Sequence, residues 1–493
     1  SEWQSHTGLV DPATTPRVQY TYAPGVGGNS SLLSRITYPD GYAVNYAYNG
    51  ADTAAARPSA LSGFRGSDAT SVTLEAFKYL GVGTVIERSR PDVTVTLSMV
   101  NPSGQSGDAG DKYTGLDRFG RVVDQKWAKG TTATATVLDR YGYTYDRNSN
   151  RLTRSNALAV AFSETYSYDA LNQLQSFNRT GGTTMSQQWQ FDALGNWTAL
   201  TTNGVAQNRT SNAQNELTQV GASVLAYSGT GNLTTDAQGR TLDYDAWNRL
   251  VRVTSADGLT WTTHAYDGLN RRVTETLGPG PVTSTRDLFY SQDWQVLEER
   301  LRGADGSIPA VADIRYIWSP VYVDAMIARD RNADGNTATG TGGLEQRVYV
   351  LQDANWNTTA IIAATGVPGF TAGSVVNRFV YTPYGESQTL SASWAAPAAG
   401  STPATPWSHL FQGLKFNDVT GLANARNRDY SPTLGRFIER DPIGFEAGDN
   451  NWYRFVANGP TGKTDPSGLK SRCCDECDTV KQSRNSRLSG DFV

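Results

Sequence analysis

One phrase recurs along the chain and limits what it can fold into. "YTYDRNSNRLTRS" begins at Tyr143, "YSYDALNQLQSF" at Tyr166, "WQFDALGNWTAL" at Trp189, "LDYDAWNRLVRV" at Leu242 and "HAYDGLNRRVTE" at His264. The shared pattern is an aromatic, Asp, two variable residues, Asn or Gly, one variable residue, then Leu, Val or Trp. Its Asp falls at 146, 169, 192, 245 and 267, with spacings of 23, 23, 53 and 22 residues. Weaker copies, "TSNAQNELTQV" from Thr210 and "LAYSGTGNLTT" from Leu225, fill the long gap, and a degenerate one, "GLDRFGRVVDQ", starts at Gly115. A single copy reads as an ordinary turn. Five at near-constant spacing read as a repeat architecture.

The physics of one unit follows from its residues. Runs such as "YSY" alternate side chains between two faces, as a strand does. Asp and Asn bond their own backbone, and Asn and Gly tolerate positive φ, so the centre of the phrase is a turn. "RLVRV" then restarts the alternation. Each unit is a strand–turn–strand hairpin. A lone hairpin is marginal in water, and stacked copies stabilise one another by burying faces and edges. Abundant Gly (49), Tyr (24) and Trp (12) fit an all-β chain.

Composition excludes several classes. Lys plus Arg number 43 against 47 Asp plus Glu, so there is no basic footprint for nucleic acid. No run of 18 apolar residues is present to span a membrane. The chain opens at Ser1 without a secretory signal, which reads as a processed chain or a piece of a longer one. Residues 1–472 lack cysteine, so the body folds without disulfides. Three dispersed histidines (His6, His264, His409) argue against a His-rich metal site or a Ser-His-Asp triad.

The phrase Asp-Pro-x-Gly occurs twice near the end, at Asp441–Gly444 and Asp465–Gly468. Each is a good β-turn in its own right, with Asp at the first position and Pro fixing φ at the second. Arg440 and Arg436 lie beside Asp441, either to tune its charge or as ordinary solvated arginines.

The hairpin phrases, together with "RVYVLQDANWNTTAIIAATG", "VVNRFVYTPYGE" and "GLANARNRDYSPTLGRFIERDPIGFEAGDNNWYRFVANGPTGKTDPSGL", resemble the YD-repeat, or Rhs, family over nearly the whole chain. "GLANARNR" and "NGPTGK" depart from the family pattern without touching either Asp-Pro-x-Gly. The resemblance implies an all-β shell: YD hairpins over residues 1–380 spiral into a hollow wall, and a core-associated module at 381–469 closes it. It also implies an aspartyl self-protease that cuts after Leu469, before Lys470, with Asp441 and Asp465 as the catalytic pair. The reaction is single-turnover in cis. Residues 470–493 form a short variable tail, held as cargo or standing in for a toxin. The family also implies a bacterial protein, secreted or at the cell surface, with a secretion-system or cell-surface partner.

Two nearby carboxylates cannot both ionise cheaply, so one stays protonated. The ionised one takes a proton from water and the other polarises the scissile carbonyl. The competing reading is a non-enzymatic surface or structural YD-repeat protein, in which both Asp-Pro-x-Gly phrases are architectural.

Two further stretches have possible chemistry. Asp330, Asn332 and Asp334, with Gly335, match the first half of a calcium loop, but Thr341 stands where a bidentate Glu is needed. A polar hairpin tip explains the stretch as well, and no other cofactor is expected. Cys473, Cys474 and Cys477 lack a fourth ligand, so they read as incidental cysteines of a flexible tail. A Pro/Ala linker follows Pro397.

Overall fold

The computed structural model describes residues 1–493 apart from 7, 24–31, 66–69, 100–114, 131–134, 180, 182–183, 279–282, 337–342, 398–404 and 474–493. Most of the Pro/Ala stretch after Pro397, Thr341, Cys474 and Cys477 therefore lie outside the described residues. Each repeat turn is locked by its own aspartate. Asp169 Oδ1 accepts the N–H groups of Leu171 and Gln173, both at 2.9 Å. Asp146, Asp192, Asp245 and Asp267 do the same two and four residues on. The third residue after the Asp takes a positive φ: 61° at Asn172, 74° at Gly195, 62° at Asn248 and 65° at Asn270. This is why Asn or Gly recurs there.

The fourth position, variable in the sequence pattern, has a fixed role. Its side chain donates back to the second carboxylate oxygen, from Asn150, Gln173, Asn196, Arg249 and Arg271. It also reaches the next turn. Asn150 donates to Asn172 Oδ1 and Asn196 to Asn215 Oδ1, both at 2.8 Å. The turns are thus linked into a ladder along one rim. In the weaker copies, Asn212 and Ser228 take the place of the Asp. Ser291 and Asp353 lock turns that the pattern did not reveal. In these, Trp294 and Trp356 sit at φ 59° and 61°, uncommon for so bulky a residue and held there by the lock.

The aromatic before the Asp sits on a register shift, at Tyr168, Phe191, Tyr244 and Tyr266 alike. Where it is a tyrosine, its hydroxyl donates to a backbone carbonyl of the preceding hairpin. Tyr168 reaches Arg151 at 2.7 Å, Tyr244 reaches Leu233 at 2.9 Å and Tyr266 reaches Leu250 at 2.7 Å. Burial pushes the Tyr168 phenol up to about 12, so it stays a donor at ordinary pH.

Strands pair antiparallel with their sequence neighbours in two large sheets, one from Glu2–Trp3 to Ser223–Val224 and one from Ala226–Tyr227 to Ser387–Ser391. The first part of the strip returns over the second. Gln4 exchanges two hydrogen bonds with the backbone of Tyr290, Tyr38 donates to the Tyr316 carbonyl and Trp127 to that of Gln352. Val18, Leu61, Leu74 and Trp127 share one apolar cluster with Ile317, Tyr349 and Leu351. A second cluster joins Val348, Ile361 and Phe379 to Phe411, Tyr430, Phe437 and Phe455 of the C-terminal module. Strands Gln346–Gln352 and Val375–Tyr381 are consequently buried at every residue. That is why "RVYVLQ" and "VVNRFVY" do not alternate as half-buried strands do.

The fold is all-β: a strip of hairpins spiralling into a shell, closed by a C-terminal module that packs against both sheets. A cavity of about 570 Å³ remains between the last hairpin and the module, lined by Phe379, Glu386, Trp407 and Asp418 among others.

The lock predicts graded stability effects. Asp169→Ala removes the acceptor of two backbone N–H groups and strands the Gln173 side chain, and should cost about 1–3 kcal/mol in denaturant unfolding. Phe191 has no hydroxyl, and the carbonyl at the equivalent preceding position is that of Leu174. Phe191→Tyr should therefore be neutral or stabilising by up to about 1 kcal/mol. A clear loss of stability on Phe191→Tyr would contradict the role assigned to the tyrosine hydroxyls.

Candidate functional site

The module contains a small sheet of strands Lys415–Asn417, Leu422–Ala425, Arg428–Ser431 and Arg436–Phe437. Arg428 opens its third strand, and its buried guanidinium gathers the site. Nη2 lies 2.8 Å from Asp441 Oδ2 and 3.7 Å from Asp465 Oδ2. Nη1 donates to the Trp452 carbonyl at 2.7 Å and Nε to that of Gly468. The plane rests on Phe437, 3.7 Å from its ring centre. Two aspartates 24 residues apart in sequence therefore meet around one cation.

Asp465 wraps around the following residues. Its Oδ1 accepts from the N–H groups of Leu469 (3.2 Å) and Lys470 (3.3 Å) and from the Ser467 hydroxyl (3.1 Å). The turn needs glycine at 468. Its φ is 66°, and a Cβ there would fall 2.5 Å from the Ala425 carbonyl. Asp441 Oδ1 accepts the Ile443 N–H at 3.1 Å. Burial raises the Asp441 carboxyl above its ordinary range. Arg428 and the Ile443 N–H oppose that rise, and the Asp465 charge adds to it. Asp441, Asp465, Arg428 and Leu469 line a cavity of about 30 Å³ together with Asn451 and Ala457, room for one water.

Val456, Ala457 and Asn458 run in sequence through φ 42°, 52° and 57°. Such a left-handed turn costs about 1–2 kcal/mol per residue, and Val456 and Ala457 line the same cavity. No sequence signal announced it.

The two arginines that lie beside Asp441 in sequence point elsewhere. Arg436 donates to the Asn215 carbonyl at 2.6 Å, and Arg440 contacts the Tyr453 hydroxyl and Glu216. Arg428, 13 residues before Asp441, takes that place. Among the described residues, the calcium expectation finds no ligand set. Asp330 lies in the strand Met326–Arg331 with both oxygens taken by Arg347 at 2.6 and 2.8 Å, and Arg315 adds a third contact. Asn332 is buried, while Asp334 is exposed and accepts the Asn336 N–H. Among the described residues, no group of three His, Cys, Asp or Glu side chains is placed to hold a metal ion. No helix among them is long and apolar enough to cross a membrane.

The RHS Repeat family matches residues 244–280, which contain the turns at Asp245 and Asp267. That segment is an RHS repeat. The chain is 29% identical over 254 residues to the double-stranded DNA deaminase toxin A of Burkholderia cenocepacia, covering 48% of this chain and 16% of that protein. It is 26% identical over 310 residues to the tRNA nuclease WapA of Bacillus subtilis, covering 61% of this chain and 12% of that one. The chain thus spans a small fraction of the length of either relative. The crystal structure of TcdB2-TccC3-Cdc42 superposes on 94% of this chain and 22% of its own, with a TM-score of 0.70 at 19% identity. That similarity is one of fold.

Arg428→Ala would leave two buried carboxylates without their cation. It should cost about 3–5 kcal/mol, read as a lowered melting temperature at neutral pH, and Arg428→Lys should recover part of it. An unchanged melting temperature in Arg428→Ala would mean that the pair does not depend on this guanidinium.

Proposed function

We propose that this protein is a shell that holds a C-terminal segment and frees it by cutting its own backbone between Leu469 and Lys470. The observation that carries this reading is the hydrogen bond from the Lys470 N–H to Asp465, in a water-sized cavity shared with Asp441. In the proposed reaction, ionised Asp465 takes a proton from a water in that cavity. The water oxygen adds to the Leu469 carbonyl carbon, polarised by protonated Asp441. Asp465 then passes the proton to the Lys470 nitrogen as the C–N bond breaks. The products are a Leu469 carboxylate and a Lys470 amine. Proximity comes from the chain itself, so the cut is single-turnover in cis.

In this reading residues 1–380 are the wall, 381–469 the processing module and 470–493 the segment released. Relatives that are named as toxins support a cargo role, and with it a secreted or cell-surface location and a secretion-system or cell-surface partner.

One feature favours an architectural reading. Arg428 neutralises both carboxylates at once, and Asp465 already accepts three donors, which suffices for a locked turn. Mass spectrometry of the full chain after incubation separates the two. Self-cleavage predicts a fragment ending at Leu469, and full-length chain from both Asp441→Asn and Asp465→Asn with the fold retained. Full-length parent after prolonged incubation would leave the architectural reading standing.

The pH dependence has a defined sign. Asp441 must be protonated and its carboxyl is raised, so the rate should fall as pH climbs through that value. Rates followed between about pH 4 and 8 should thus be highest on the acidic side. A rate that keeps rising with pH would exclude Asp441 as the protonated partner.

A further inference from the structure

We infer that the wall, and not the module alone, positions the cutting site: the repeat turns begun by Asp169 and Asp192 hold the module segment 449–458 in place. This rests on the self-cleavage proposed above. Asn458 donates to the Gly195 carbonyl (2.8 Å) and to Gln173 Oε1 (3.0 Å), and accepts from Trp197 Nε1 (3.2 Å). Asn451 donates to the Leu194 carbonyl (3.1 Å) and to Asn196 Oδ1 (2.8 Å). Arg454 donates to Gln173 Oε1 at 3.3 Å. Arg436, at the edge of the same module, donates to the Asn215 carbonyl.

The wall atoms involved belong to the second to fifth positions of consecutive turns, and the third and fourth of these positions also form the rim ladder. On the module side, Asn451, Arg454, Val456 and Ala457 line the cavity of Asp441 and Asp465. Three successive residues at positive φ, one of them β-branched, persist only where surrounding contacts over-determine them. The wall's three hydrogen bonds to the Asn458 side chain are among those contacts. Gln173 and Asn458 are positioning residues, and a chain whose middle turns have not stacked has an incomplete site. Cutting therefore follows winding of the shell.

The test uses the full chain. Asn458→Gly keeps the left-handed backbone but removes the three hydrogen bonds to the wall, together with that from the Tyr384 hydroxyl. Gln173→Ala removes one wall partner of Asn458 and that of Arg454. Asn458→Asp keeps the acceptor for Trp197 and loses both donations. Arg249→Ala is the control, because it weakens a comparable turn lock at Asp245 that does not touch segment 449–458. Cleavage rate by intact mass, its pH profile and melting temperature are measured for each.

We expect Asn458→Gly and Gln173→Ala to slow cutting at least about tenfold and to move the high-pH fall to lower pH. The shift follows because a loosened segment exposes Asp441 and returns its carboxyl toward the ordinary range. Asn458→Asp should recover part of the rate, and Arg249→Ala should keep the parental rate and profile. Parental rate and profile in both Asn458→Gly and Gln173→Ala overturn the inference. So does an equal change in Arg249→Ala, which would mark general softening. Cutting that persists in Asp441→Asn would instead remove the self-cleavage reading beneath it.

Discussion

The rest of the structure depends on one carboxylate oxygen accepting two backbone N–H groups of its own turn. That bond pair fixes the chain reversal and makes the following positive φ tolerable. It sets the register shift that brings the aromatic hydroxyl to the previous hairpin. Net hydrogen bonds of this kind contribute about 1 kcal/mol each, and isolated hairpins are marginal. Stability therefore comes from repetition. Several turns are tied to the next through the side chain at the fourth position, so the strip behaves as a row of nearest-neighbour interactions.

Winding the strip on itself creates a second demand. Where the coils overlap, polar backbone at the register shifts is buried and must be satisfied. Arginine and tyrosine meet that need, because each combines a large apolar body with donors at its tip. Arg90 reaches the Val350 carbonyl while ion-paired to Glu75, and Arg347 pairs with Asp330 while donating to the Phe64 carbonyl. Arg428 uses the same arrangement at the module: one guanidinium, two backbone carbonyls and two carboxylates. A buried ion pair of this type adds little net stability when complete and is costly to break. It fixes position more than it stabilises, and position is what a carboxylate pair beside a peptide bond requires.

The repeat was legible in the sequence because its physics is local: Asp, Asn or Gly, and an aromatic within five residues. Ser291 and Asp353 were hidden because a serine substitutes for the aspartate in one and tryptophan fills the positive-φ position in both. Asp441 and Asp465 stood out through their Pro-x-Gly context. Arg428 did not, since nothing along the chain marks which arginine will meet them. Arg436 and Arg440 were misleading for the same reason: nearness in sequence to Asp441 does not bring either guanidinium to its carboxylate. Asp330 resembled a calcium ligand because alternate oxygen-bearing residues also describe a strand running into a polar tip. Its partner Arg347 lies across an insertion whose sequence shows no pairing.

The left-handed turn at Val456–Asn458 links these levels. Its backbone costs about 3–6 kcal/mol in total at 1–2 kcal/mol per residue. The three hydrogen bonds of Asn458 to the wall return about 2–5 kcal/mol. The two quantities nearly cancel, so the turn has little margin of its own and its geometry follows the wall. The acceptors that supply the balance, Gln173 and the Gly195 carbonyl, are themselves held by the Asp169 and Asp192 locks. A chain of specific contacts therefore runs from the carboxylate that closes a hairpin, through the rim ladder and a strained turn, to the cavity beside Leu469. Loosening any link leaves the aspartates present but displaced, and at a site of this size a displacement of about 1 Å is enough to separate a proton donor from its acceptor.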